Sequence, residues 1–159
     1  MLTIRGKVTL ISTENDKQTM TISNEFTTKQ FNLQDTYLFD AVTGYRLQLE
    51  EMLDREVTVY AKEQTAAAVV TVSDTGIANY AEIEAAAVLE DGNLQVVTDD
   101  GSRIVTISKE AEIRPWLTRN IVMLPDIQTG CKVILYYDLL TMSLPAQAYT
   151  EKVILLAQK

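Results

Sequence analysis

The stretch "EIEAAAVLEDGNLQVVTDDGSRIVTIS", Glu82–Ser108, decides the fold class. Apolar side chains recur at alternate positions in three short runs. Each gap between runs holds an Asp-Gly pair, Asp91-Gly92 and Asp100-Gly101. Alternation of period two marks a half-buried strand. Asp-Gly supplies the positive φ that a tight hairpin turn requires. The stretch predicts three antiparallel strands joined by two tight turns. A calcium-loop reading of the turns fails, because the spaced oxygen ligands and closing Glu are missing.

The same pattern extends outward. In "IRGKVTLIS" (Ile4–Ser12) the alternation puts Ile4, Gly6, Val8 and Leu10 on one face and Arg5, Lys7 and Thr9 on the other. "QTMTIS" alternates too, and the polar "TENDK" between them predicts a hairpin. Abundant Thr, Val and Ile suit a pleated surface. One segment, "LQLEEMLDRE", places Leu49, Met52 and Leu53 on one helical face, and its shortness predicts one or two helical turns.

The chain also contains an internal repeat of apolar pattern. Tyr37–Met52 lies over Glu112–Ile127, matching Leu38 with Ile113, Leu47 with Val122, Leu49 with Leu124 and Met52 with Ile127. "EVTVYAKEQT" lies over "KVILYYDLLT", "FNL" over "VTI", and "IRGKVTLI" over "AEIEAAAV". The junction falls in Val72–Asn79, where turn residues cluster. The expected architecture is all-β: two tandem small β-barrel (OB-like) units, residues 1–75 and 77–159. A unit with five or six strands buries its apolar faces and protects its edges by curling up. Two small sandwiches or one continuous sandwich are the alternatives.

Composition bounds the chemistry. The 159 residues carry a formal net charge of -8, which repels phosphate backbones and anionic membrane surfaces; neither nucleic-acid binding nor membrane insertion is expected. The N-terminal residues read at once as a strand and lack the signal-peptide pattern, so the expectation is a cytoplasmic chain, or a cell-surface one if trimmed. There is no histidine, so Ser-His, Cys-His and histidine-metal sites cannot form. The single cysteine, Cys131, reads as a small buried hydrophobe. The six glycines are scattered and build no phosphate loop. No cofactor or metal is expected. Glu50-Glu51, Glu82-Glu84 and Asp99-Asp100 are the residual acid/base pairs, and they fall in turns or on solvent faces.

Binding candidates are aromatic residues and one loop. Tyr136 and Tyr137 are adjacent on a strand and point to opposite faces. Trp116 follows Pro115 near a strand end. Between two strand-like runs lie Thr141, Met142, Ser143, Leu144, Pro145 and Gln147. In one reading Met142 and Leu144 fold back to close the barrel while the polar residues satisfy the loop backbone. In the other the loop is an interaction edge for a second copy or another protein.

Gly130, Val133, Tyr136-Tyr137, Thr141, Ser143, Pro145, Gln147 and Val153-Ile154-Leu155 form a recognisable series. It resembles a β module of clostridia-type bacteria, found in cell-surface proteins near copper-amine-oxidase-like stalk domains. The resemblance implies a non-catalytic, surface-associated module and carries no activity. The first half departs from it: "YAKEQTAAAVVTV" lacks the second tyrosine, the proline and the glutamine. The expected function is a non-catalytic structural or protein-interaction module, with an unknown protein partner or self-association. The alternatives are a carbohydrate- or small-ligand-binding module using Trp116 and Tyr137, and a carboxylate-dependent hydrolase.

Overall fold

The computed structural model describes residues 1–75 and 77–158. It is all-β, and helix among the described residues is confined to two 3-10 turns. The chain divides into two compact units, Met1–Thr75 and Gly76–Lys159, inside the turn-rich stretch Val72–Asn79. No helix among the described residues is long and apolar enough to cross a membrane.

The first unit holds β1 (Leu2–Glu14), β2 (Lys17–Ser23), β3 (Thr28–Phe39), β4 (Glu56–Lys62) and β5 (Thr65–Thr71), closed into a barrel in the order β1-β2-β3-β5-β4. All neighbours are antiparallel except β3 and β5. The β1–β2 hairpin turns on Asn15 and Asp16 at φ 51 and 64, residue types that tolerate the left-handed region. The core gathers Val8, Met20, Ile22, Phe31, Met52 and Val59. Burying each such side chain contributes about 1.5–3 kcal/mol.

Two details of this unit depart from simple alternation. The β1–β2 register shifts between Val8 and Leu10. A bulge adds one residue and swaps the faces beyond it. Leu10, expected on the inner face, is therefore exposed, and Ile11 packs on the core instead. The segment expected as one or two helical turns is a single 3-10 turn, Leu49–Met52. Leu49 and Met52 are buried, but Leu53 lies past the turn's end and is exposed.

The second unit holds β6 (Ala78–Glu82), β7 (Ala85–Val88), β8 (Leu94–Thr98), β9 (Arg103–Pro115), β10 (Lys132–Tyr136) and β11 (Ala146–Ala157). Its sheet runs β6-β10-β11-β9-β8-β7, with β9 and β11 parallel. The strand expected to start at Glu82 is broken: the chain leaves β6 there and resumes in β7 at Ala85. At the break the Glu84 N–H donates to Val97 O at 2.9 Å, and its carboxylate accepts from the Asp100 and Gly101 N–H groups at 2.6 and 2.9 Å. The two expected tight turns are longer loops, with Val88 opposite Leu94 and Thr98 opposite Arg103. Positive φ falls at Gly92 and Gly101 and also at Asp99 and Asp100, both at 56°. Val96, Ile107, Ile127, Val133, Leu135 and Val153 belong to the core.

Both parallel ladders are interrupted, and a threonine fills each gap. The Thr36 hydroxyl donates to Ala66 O at 2.6 Å beside the β3–β5 break. Thr150, buried at the β9–β11 break, donates its hydroxyl to Tyr136 O at 2.5 Å and accepts the Lys152 N–H at 3.2 Å. Backbone groups freed by a bulge cost free energy in a core unless a side chain replaces the lost partner.

Candidate functional site

The loop between β10 and β11 is the most unusual surface of the second unit. Asn79 holds its entry: the side-chain amide donates to Leu135 O at 3.2 Å and Tyr137 O at 3.0 Å. Its exit is tied down where the Ala146 N–H donates to Ser102 O at 2.9 Å. Inside the loop the Thr141 N–H donates to Gln147 O at 2.9 Å, and the Gln147 N–H returns to Thr141 Oγ1 at 2.8 Å. Thr141 Oγ1 and Ser143 Oγ are 2.6 Å apart, and Ser143 Oγ donates to Pro145 O at 2.9 Å. The Leu144-Pro145 peptide is cis.

The Thr141 and Ser143 hydroxyls and the Gln147 backbone are thus used on the loop itself, and its tip side chains Met142 and Leu144 face water. Met142 is fully exposed at 104%, Leu144 is 91% exposed and Leu139 79%. Met142 and Leu144 do not fold back onto the barrel, so the reading in which they close its end is corrected. Beside the loop an open groove of about 430 Å³ is lined by Leu139, Leu140, Thr141, Gln147, Tyr149 and Asn93. A loop ordered by its own hydrogen bonds presents apolar groups without having to order them on binding.

The aromatic candidates are placed differently. Tyr137 is buried. Its hydroxyl accepts from Arg103 Nη1 at 2.8 Å, and Arg103 Nε lies 3.0 Å from Asp99 Oδ2. Burial raises the Tyr137 phenol above its usual range; the Arg103 guanidinium opposes this and Asp99 adds to it. Tyr136 takes the outer side, with Lys152 Nζ 4.8 Å from its ring centre. Trp116 is half-buried past the end of β9, where its backbone N–H donates to Leu155 O at 3.1 Å. The loop joins β11 at Ala146, nine residues earlier, roughly 25–30 Å along the strand. The structure brings Thr141, Ser143, Pro145 and Gln147 together, aims Met142 outward from them, and leaves Trp116 apart with Tyr137 beneath the surface.

Sequence reasoning overlooked Leu139, Leu140 and Tyr149. A strand read through "KVILYYDLLT" hid the two leucines, because β10 ends at Tyr136. The available signal was Asp138 followed by two leucines, a charge no buried strand centre would hold.

One member of each acidic pair, Glu51, Glu84 and Asp99, is engaged locally. Glu84 holds the β8–β9 loop, as described above. The Glu51 carboxylate accepts the Gln48 N–H at 3.0 Å and so caps its own turn. Among the described residues no group of three or more Cys, Asp or Glu side chains converges as a metal site would. Asp99 is pushed above its usual 3.8, chiefly by burial; Arg103 opposes that, and Glu84 and Asp100 add to it. A raised carboxyl pKa favours folding below 3.8, and this contribution is lost as pH climbs through the folded-state value. Asp99→Asn keeps a residue suited to the left-handed region and removes the titration. From pH 4 to pH 6 the thermal midpoint of this variant is expected to shift upward relative to the wild type's shift over the same interval. An identical shift in both would exclude Asp99 as a contributor to the pH dependence.

No family model matches the chain, and no curated protein or solved structure matches it significantly.

Proposed function

We propose that this chain is a non-catalytic protein-interaction module made of two tandem copies of one OB-like barrel, docking through the second copy's loop at 138–149. The exposure of Met142 and Leu144 on a loop fixed by its own hydrogen bonds carries the reading. Soluble surfaces scatter single apolar side chains, but several exposed together on one ordered loop mark interaction sites.

The repeat rests on pairing. If β6 and β7 count as one strand bent at Ile83-Glu84, each unit runs first-second-third-fifth-fourth, with the third and fifth strands parallel. Val8 exchanges backbone hydrogen bonds with Asp54 and Arg55, and Ile83 does so with Gly130 and Cys131. Leu49 and Leu124 open the two 3-10 turns, and Met52 and Ile127 follow in the core. The Asp126 carboxylate accepts the Met123 N–H at 2.8 Å, as Glu51 does for Gln48. On this reading Gly6 corresponds to Ala81, facing Val57 and Val133 respectively. That lies two residues from the register the sequences alone suggest.

A catalytic reading is not adopted, since Glu51 caps its own turn, Glu84 holds the β8–β9 loop and Asp99 pairs with Arg103. The carbohydrate reading needs Tyr137 at the surface, and its ring is buried.

The test is the double substitution Met142→Asp/Leu144→Asp. Deleting the loop would also remove the start of β11, which pairs with β9 from Ala146 onward. The double variant is expected to keep its fold and to weaken association about a hundredfold or more, whether with a second copy or another protein. Sedimentation of the purified chain and affinity capture from its host would be compared with the wild type. The same association state and the same captured proteins in both would overturn the proposal.

A further inference from the structure

One edge of the second sheet is open in a way the loop does not explain. β7 pairs with β8 on one side, and among the described residues no strand pairs with its other side. The Leu89 N–H donates to Asn93 O at 2.8 Å, which fixes the alternation of the β7–β8 ladder. Ala85, Ala87 and Leu89 bond toward β8, so Ala86 and Val88 direct their N–H and C=O groups to the open edge. Exposed edges are normally blunted by shortness, or by a charge, a proline or a bulge along the strand. β7 is short, Ala-Ala-Ala-Val, but it carries no charge, proline or bulge along its length.

A groove of about 490 Å³ runs beside this edge, between β7 and the segment bearing Pro125, Ile127 and Thr129. In the first unit the 3-10 turn packs against β1; in the second it packs against β9. Val88 shares the inner face with Ala86 through their partners Leu94 and Val96. Ala86 packs on the core, whereas Val88 is 73% exposed, because the facing segment stands off.

We infer that β7 is a docking edge for an extended peptide that adds as a seventh strand, with alternate apolar side chains in the groove and basic residues at its ends. The open N–H and C=O groups require an extended backbone, since only a strand offers matching groups at that spacing. Charge selects the partner. Glu90 follows the strand; Glu84 before it and Asp91 after it, although their carboxylates accept loop backbone N–H groups, add negative charge at the two ends. A second copy pairing antiparallel through β7 would set these acids against each other, whereas a peptide with terminal lysines complements them. This surface is distinct from the loop at 138–149, and either can stand without the other.

The probe is the capped peptide Lys-Val-Thr-Val-Thr-Lys, and the readout is amide hydrogen exchange of the full chain with and without it. At saturation the Ala86 and Val88 amides are expected to slow about tenfold or more, while Ala85 and Ala87, already bonded to β8, stay unchanged. Val88→Pro removes one outward donor and no ladder bond, and is expected to weaken binding about tenfold. N-methylating the peptide's valines tests the same bonds with the protein intact, and is expected to abolish the slowing. Met142→Asp/Leu144→Asp should leave the peptide's effect in place. No binding at about 1 mM peptide, binding without slowing of these two amides, equal slowing by the methylated peptide, or dimerisation through β7 would each overturn the inference.

Discussion

Gly6→Val is expected to destabilise the first unit by about 2–4 kcal/mol, with Gly6→Ala at the lower end of that range or just below it. A Cβ built on Gly6 lies 2.8 Å from the Ser23 carbonyl oxygen and 3.1 Å from its carbon. Both atoms are backbone, so no side chain can rotate away. The crowding has a topological cause. At Lys7, β1 passes from one partner to the other, facing Glu56 of β4 and Ser23 of β2. A strand serving two neighbours at one residue must coil sharply, which brings the β2 carbonyl over the inner face. The adjoining turn cannot drift outward, because the Asn24 amide donates to Arg5 O at 2.8 Å and its carboxamide oxygen accepts the Phe26 and Thr27 N–H groups. Urea midpoints for the two variants would measure the cost, and exchange of β1 and β2 amides would show whether the barrel opens at this seam. Wild-type stability in Gly6→Val would mean that β2 yields freely and the closure is loose.

Much of the architecture was legible because a strand declares itself through neighbours in the chain. The alternation around Val96 and Ile107 and the glycines of the acidic turns are local signals, and the structure uses both. What failed was non-local. Leu10 sits in faultless alternation, yet the bulge that turns it outward is set by how β1 must meet β2 and β4 together. The break at Ile83-Glu84 is equally silent in the sequence, since a strand-like "EIEAAAV" gives no hint that its glutamate is taken by the Asp100 and Gly101 amides. Composition also misled at the site. The alternation puts one tyrosine of the pair inside and one outside but gives no sign of which; Arg103 supplies the buried hydroxyl with a partner and so makes Tyr137 the interior one. Met142 and Leu144 read as core fillers by hydrophobicity alone. The hydrogen bonds of Thr141 and Ser143 hold the loop in a shape that keeps them in water.

Ile107→Ala is expected to cost about 2–5 kcal/mol, and to cost it in the second unit alone. Ile107 is fully buried, faces Leu94 across β8–β9, and meets Thr150 where the parallel ladder with β11 breaks off. Truncation there removes three carbons beside a kink already held by the Thr150 hydroxyl, so the surrounding strands have little freedom to collapse into the void. The two apolar clusters share no residue: Ile107 belongs with Val96, Val133 and Leu135, and Met52 with Val8, Ile22 and Val59. Native-state exchange separates the consequences. Ile107→Ala should lower protection of the slow amides in β8, β9 and β11 by the full stability loss while β2 and β4 keep theirs. Met52→Ala should do the reverse, at similar cost. If either substitution lowered protection equally in both units, the chain would unfold as one cooperative body, and the separate cores would not be separate units of stability.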